Sequence, residues 1–450
     1  MNLNPIMLAA LAAAISPAFA AIPEVSNVTM AQAANRRVTI TYTLADAPAV
    51  VTLDIQTNAN VSAAANDPGW TSIGGEAIFS AQGDVWRKVG NDLAEGQAFS
   101  GTITWQPDQA WTGADGNGFK IAANGARARV TAWPLDNTPG YMAVDITATG
   151  GADTQTYYPA ADFVPGGVTN SLYKTTKLLM RKIMAKDVEW TMGSVAESGR
   201  NATRETPHQV TLTNNYYIGV FEVTQTQWQQ ITGYNPSNFT TDRAMRPVEK
   251  VSYTDIRQGK GTAASASAAT GGVYPAYPHA DSFLGLLRDR TKLDFDLPSE
   301  AQWEFSARAG HGEGYWGDGS PVHSSSNKDA NLNRLDRYLN NPATNSSTSP
   351  ATTTAPSEGG TAIVGSYQPN GWGLYDVHGN VKECCLDLYS DDITALGGAV
   401  NTESGTSRVI RGGCWNNGAE YCRSAYRNYV TPTYRYNNQG FRVACQAGLK

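Results

Sequence analysis

The amino-acid sequence predicts an all-β sandwich followed by a loop-rich domain with short capped helices. Three observations carry this. Residues 22–165 hold β-branched runs of period-two character separated by Gly-, Asn- and Asp-rich turns. Downstream, two stretches carry the Ser/Thr-x-x-Gln pattern that starts a helix. The segment 411–442 (RGGCWNNGAEYCRSAYRNYVTPTYRYNNQGFR) is dense in Gly, Asn, Tyr and Arg, which suit irregular loops that expose aromatic and hydrogen-bonding groups.

The chain opens on a short apolar run, MNLNPIMLAALAAAISPAFA, ending in Ala18-Phe19-Ala20. This reads as a secretory signal over 1–20, cleaved after Ala20 or Ala21, although its first residues lack Lys and Arg. The run is too short to span a bilayer, and no second hydrophobic stretch follows. The expected product is exported: periplasmic, cell-surface or secreted. The net charge of -6 and the lack of a basic patch argue against nucleic acid as a partner.

In 22–165, the strands expected are 37–44 (RVTITYTL), 50–55, 101–105, 126–133 and 141–149. They predict an antiparallel sandwich of immunoglobulin or fibronectin type. A turn-rich linker is expected over 166–180. The second domain, 181–450, opens with VEWTMG at 188–193. Thr224 and Gln227 predict a capping box for a helix bearing Trp228. In LPSEAQWEFSARAG (297–310), Ser299 is the expected N-cap, Gln302 closes the box, Glu300 favours the positive helix end and Gly310 is the expected C-cap. Trp303 and Ala307 share the face expected to be buried. An Ala/Ser/Gly-rich insert at 259–272 reads as a surface loop, and a Ser/Thr/Pro/Ala-rich insert at 341–360 is expected to be mobile.

All five cysteines (Cys384, Cys385, Cys414, Cys422, Cys445) lie in the last third. In an exported protein disulfides are the default for such a set, with one thiol left over. The spacing lacks CxxC, and the scattered histidines form no HExxH.

The blocks FEVTQTQW, RPVEKVSY, LPSEAQWEFSARAG, YWGDG, PNGWGLYDVHGNVKE and RVIRGGCW…CRSAYRN…GFRVA occur in this order between 188 and 445. In this the chain resembles the formylglycine-generating enzyme (sulfatase-modifying factor) family. The resemblance implies an α+β, C-type lectin-like formylglycine-generating-enzyme domain, preceded here by the immunoglobulin- or fibronectin-like sandwich. It also implies calcium (Ca2+), with side-chain oxygens from Asp376 and Glu383, carbonyls from Gly379 and Val381, and Asn331 at a second site. Oxidases of the family hold one cuprous ion (Cu+) between two thiolates of the loop after the Gly-Gly, a soft metal on soft ligands. The first of those positions is Asn417 here; Cys422 falls at the second and is the sole catalytic candidate. Non-catalytic relatives often carry cysteines at the positions of Cys385 and Cys422. Together with the unusual Cys384 and Cys414, this implies bridges Cys385–Cys422 and Cys384–Cys414 with Cys445 free, or the alternative Cys384–Cys422 with Cys385–Cys414.

What remains is an Asn/Tyr-rich surface: Trp415, Asn416, Asn417, Tyr421, Tyr426, Tyr429, Tyr434 and Tyr436. Tyr supplies contact area at low entropic cost and Asn adaptable hydrogen bonds. Some relatives are variable proteins of diversity-generating retroelements, whose adenine-directed mutation converts Asn codons to Tyr and others. The expected function is non-catalytic binding of a protein or glycan ligand through this surface. The alternative is a copper-dependent oxidase that converts a sulfatase cysteine to formylglycine. Arg411, Arg423, Arg427 and Arg442 are expected to anchor the loops on carboxylates.

Overall fold

The computed structural model describes residues 22–93, 97–107, 125–148, 154–239, 243–259, 277–312, 329–341, 360–403 and 405–448. The signal segment 1–20, the YWGDG block and nearly all of both inserts lie outside the described residues.

The described chain is mostly β with few helices. Two small sheets form the N-terminal part. In one, Glu24–Gln32 pairs with Val38–Ala45, which pairs with Phe99–Trp105 and through it with Gln82–Gly83. In the other, Ala49–Thr57 is flanked from Val50 to Thr57 by Ala126–Trp133, and on its other side by Thr71–Ser72 and Arg87–Val89. The alternation read from VTITYTL is real: Val38, Ile40, Tyr42 and Leu44 are buried, and they meet Val51, Leu53 and Ile55 of the other sheet in one apolar cluster.

One expectation changes. The strand Tyr141–Asp145, expected in the sandwich, instead lies between Gln155–Tyr158 and Lys177–Ile183 in a five-stranded sheet completed by Tyr216–Gly219 and Ala444–Gln446. Residues 177–180 of the expected linker are therefore strand. The physical reason is burial: Leu178 and Met180 face one core and Leu179 the other, so both faces of that strand are covered. Tyr141, Ala143, Leu179, Val220 and Phe221 join the same cluster as Val38 and Ile40, so the N-terminal sheets and the C-terminal part share a core.

Both predicted capping boxes form. Thr224 caps the helix Gln225–Thr232 and Ser299 caps Glu300–Arg308, each with its Gln returning to the cap's N–H. The second helix ends one residue early: Ala309, not Gly310, takes the left-handed C-cap at φ 48°. Trp228 is buried and stacks on Phe283, ring centroids 5.0 Å apart. A last sheet, in the order Asn428–Val430, Arg408–Arg411, Lys382–Leu388, Gln439–Gly440, carries the C-terminal loops.

Candidate functional site

The loops after Arg408–Arg411 have little regular structure, so something other than a hydrogen-bonded ladder must hold them. Four arginines do. Arg427 sets Nε 2.6 Å and Nη2 2.8 Å from the two oxygens of Glu300. Arg423 reaches Glu197 at 2.7 Å and Glu205 at 2.6 Å. Arg442 holds both oxygens of Glu383, at 2.7 and 2.6 Å. Arg411 pairs with Glu304, which Arg308 meets from the other side at 2.7 Å. All of these side chains are buried. Helical spacing places Glu300, Glu304 and Arg308 together, so one short helix receives Arg411 from the end of its strand and Arg427 from the loop. Burial works against the charge of Arg423 and Arg427, yet their carboxylates outweigh it and raise both pKa values. Burial likewise opposes the Glu304 carboxylate, and Arg308 with Arg411 brings its pKa below the usual range.

Against this frame the tyrosines point outward. Tyr421, Tyr429, Tyr434 and Tyr436 are 38%, 46%, 52% and 48% exposed. They form two groups. In one, Tyr429 packs on Tyr389 with centroids 4.6 Å apart, Arg204 lies over both rings, and half-buried Tyr426 meets Tyr421 edge-on. In the other, Tyr434 and Tyr436 stack at 5.2 Å, while the intervening Arg435 turns back to Asp255. The half-buried Trp415 borders this second group: its Nε1 donates to the Asn437 carbonyl at 3.0 Å and its ring meets Phe239 edge-on. Asn416 accepts from Asn438 at 3.0 Å. Tyr389 and Arg204 lie far off in sequence, and nothing in the spacing pointed to them.

The expected disulfides are absent: all five cysteines are free thiols. Strand alternation is the reason. Cys384 and Cys385 are adjacent in Lys382–Leu388 and face opposite sides, Cys384 toward Gln439 in one core and Cys385 into another with Trp303 and Val409. Cys422 sits in a third, small cluster with Leu332, Leu335, Tyr338 and Ala419. Cys414 Sγ lies 3.0 Å from Asn416 Oδ1 and 3.1 Å from Asn417 Oδ1. Burial pushes the Cys414 thiol up to about 11 and Cys422 well above its ordinary value.

Two of the expected calcium ligands, Glu383 and Asn331, have partners within the chain. Glu383 spends both oxygens on Arg442, and Trp303 Nε1 donates to it at 2.8 Å. The Asn331 amide oxygen takes a hydrogen bond from Arg334 at 3.0 Å. Asp376 fits a cation better: its Oδ2 accepts from the Gly365 N–H at 2.7 Å, while Oδ1 is buried without a hydrogen-bonding partner. Burial raises the pKa of Asp376 to about 6. The turn itself is held by groups the sequence reading did not single out. Glu222 accepts from the Val381 N–H (3.0 Å) and the Asn380 side chain (2.7 Å), and Asp336 accepts from the His378 N–H (2.6 Å). Gly379 is required there, since a Cβ would stand 2.3 Å from the Arg337 carbonyl. Among the described residues, no three His, Cys, Asp or Glu side chains converge on a point that could hold a metal ion.

These features define a class: a mostly β, loop-dominated domain in which buried Arg–Glu pairs present an aromatic rim. The family model for the sulfatase-modifying factor enzyme 1-like domain matches residues 177–447, and the chain belongs to that family. A formylglycine-generating enzyme from Streptomyces coelicolor is 35% identical over 167 residues, covering 34% of this chain and 47% of the enzyme. The chain thus spans about half the length of that relative. A chaperone protein from Paenibacillus barcinonensis, LppX, is 27% identical over 247 residues, covering 51% of this chain and 80% of its own. Among solved structures, Treponema denticola variable protein 1 aligns with TM-score 0.45 and 25% identity, over 60% of this chain and 96% of that one. Among the described residues, no helix is long and apolar enough to cross a membrane.

Proposed function

We propose that this is an exported, non-catalytic binding protein whose C-terminal loops grip a protein or glycan ligand. One observation carries the reading: Arg411, Arg423, Arg427 and Arg442 of the segment 411–442 are buried in ion pairs, whereas Tyr421, Tyr429, Tyr434 and Tyr436 of the same segment face solvent. A rigid base under exposed aromatic tips loses little entropy when a ligand docks. The immunoglobulin- or fibronectin-like N-terminal sheets act as a spacer that carries the domain, and residues 1–20 direct export. Calcium has no part in this proposal. Oxidase chemistry of the family's kind calls for a thiolate at position 417, where this chain has a carboxamide.

Two measurements test it. The purified chain incubated with copper(I), oxygen and a sulfatase-derived cysteine peptide should leave the peptide without an aldehyde; a hydrazide-reactive product would end the non-catalytic reading. On a glycan and protein panel, binding by the wild-type chain should be lost in Y434A/Y436A or Y421A/Y429A, and binding that survives in both variants would remove the rim from the proposal.

A further inference from the structure

The turn 134–140, which joins the strand Ala126–Trp133 to Tyr141–Asp145, is pinned to the body of the protein. Tyr217 Oη donates to the Pro139 carbonyl at 2.5 Å and lies 2.9 Å from Thr138 Oγ1, which donates to the Ala447 carbonyl at 2.8 Å. Lys182 meets the same turn: its Nζ donates to the Thr138 carbonyl at 2.6 Å and to the side-chain oxygen of Asn137 at 2.5 Å. Lys182 lies in the strand Lys177–Ile183, and alternation puts it on the face of Leu178 and Met180, which enter the core around Trp228. The residue is 5% exposed. Burial lowers its pKa to about 8, against the opposing charge of Asp136 and with Arg181 adding to the lowering. A desolvated lysine amine is a nucleophile once it loses its proton. Here the group it touches is a carboxamide, whose carbon is one bond from the oxygen in contact. Asn137 is exposed, as is Asp136 beside it, so the amine is enclosed while the amide opens to water.

We propose that Lys182 and Asn137 react with each other to form an intramolecular amide, a side-chain cross-link between this turn and the five-stranded sheet. The neutral Nζ attacks the side-chain carbon of Asn137. A new carbon–nitrogen bond forms, the bond to the original amide nitrogen breaks, and ammonia leaves. Nζ keeps one hydrogen, and the other passes to the departing nitrogen by way of the Asp136 carboxyl. One amine and one primary amide become one secondary amide and one ammonia, with no oxidant, reductant or co-reactant. The pinned turn holds the two groups in contact, which takes the place of concentration, and the exposed side of Asn137 lets ammonia escape. The bond joins residues 45 positions apart and so restricts the unfolded chain as a disulfide does. It does this in a part of the sequence without cysteine. The inference stands independently of the ligand-binding reading, since the tyrosine rim takes no part in it.

The test is the intact mass of the purified full chain, followed by tandem mass spectrometry of its digest. The chain should be lighter by one ammonia than its sequence requires, and the digest should contain a branched peptide joining Asn137 to Lys182. Asn137→Ala and Lys182→Met should each have the full mass. Lys182→Arg keeps a positive donor against the turn but carries no such amine; it should fold, by circular dichroism, and still have the full mass, which separates loss of the bond from loss of folding. Asp136→Asn leaves both reacting groups in place and should retain a full-mass fraction. Ammonia is also lost when Asn370 or Asn417, each followed by Gly, closes to a succinimide. A loss of ammonia that persists in Lys182→Met would therefore overturn the proposal. So would a wild-type chain that keeps its full mass after long incubation under mildly alkaline conditions, since the contact would then be a hydrogen bond and nothing more.

Discussion

The guanidinium of Arg427 meets the carboxylate of Glu300 with two hydrogen bonds, of 2.6 and 2.8 Å, across a separation of 127 residues. One partner is in an irregular loop, the other in the first turn of a capped helix. The loop's position is thus set by a buried, two-pronged ion pair and not by a strand ladder.

Breaking that pair leaves a charge buried without its partner. Arg427→Ala should cost ~3–5 kcal/mol in urea unfolding. Arg427→Lys should recover only part of it, because an ammonium cannot span both oxygens. A change under ~1 kcal/mol would show that the pair does not hold the loop.

The exposed tyrosines should behave oppositely. Tyr434→Ala and Tyr436→Ala remove rings about half exposed and should each change stability by roughly 0.5 kcal/mol or less. Ligand binding is where their loss should register. Large destabilisation in a denaturant melt would mean that the rim serves the fold.

Asp387 makes stability depend on pH. It is buried, accepts from the Glu300 and Asn401 N–H groups, and burial, aided by Glu300, raises its pKa to about 7. The folded state therefore binds the proton more tightly than the unfolded chain. Its contribution is fully present below the ordinary carboxylate pKa and is lost as pH rises through about 7. Tm measured from pH 4 to 8 should carry this falling component, and Asp387→Asn should remove it.

The Asp376 turn has no room for a side chain at Gly379. Gly379→Ala would place a Cβ 2.3 Å from the Arg337 carbonyl, which is backbone and cannot step aside. We expect a loss of more than ~3 kcal/mol, since the turn carries hydrogen bonds to Glu222 and Asp336. Wild-type-like stability would show that the turn yields.

With all five cysteines free, the denatured chain should react with five equivalents of a thiol reagent without prior reduction. The native chain should react slowly, because every one is buried. Two bridges would leave one reactive thiol.

Much of this protein was legible in local chemistry. The caps at Thr224 and Ser299 and the alternation in Val38–Ala45 follow from side-chain chemistry within a few residues, so the sequence alone determined them. The motif blocks likewise pointed to the family that matches residues 177–447. Tertiary structure decided whatever depends on which surfaces meet. It moved Tyr141–Asp145 into the five-stranded sheet, gave the loop arginines their distant carboxylates, Glu383 to Arg442 among them, and set the Cys414 sulfur beside Asn417. Each outcome turns on a partner dozens to hundreds of residues away or on a backbone bend such as that at Gly413, and periodicity carries no record of either.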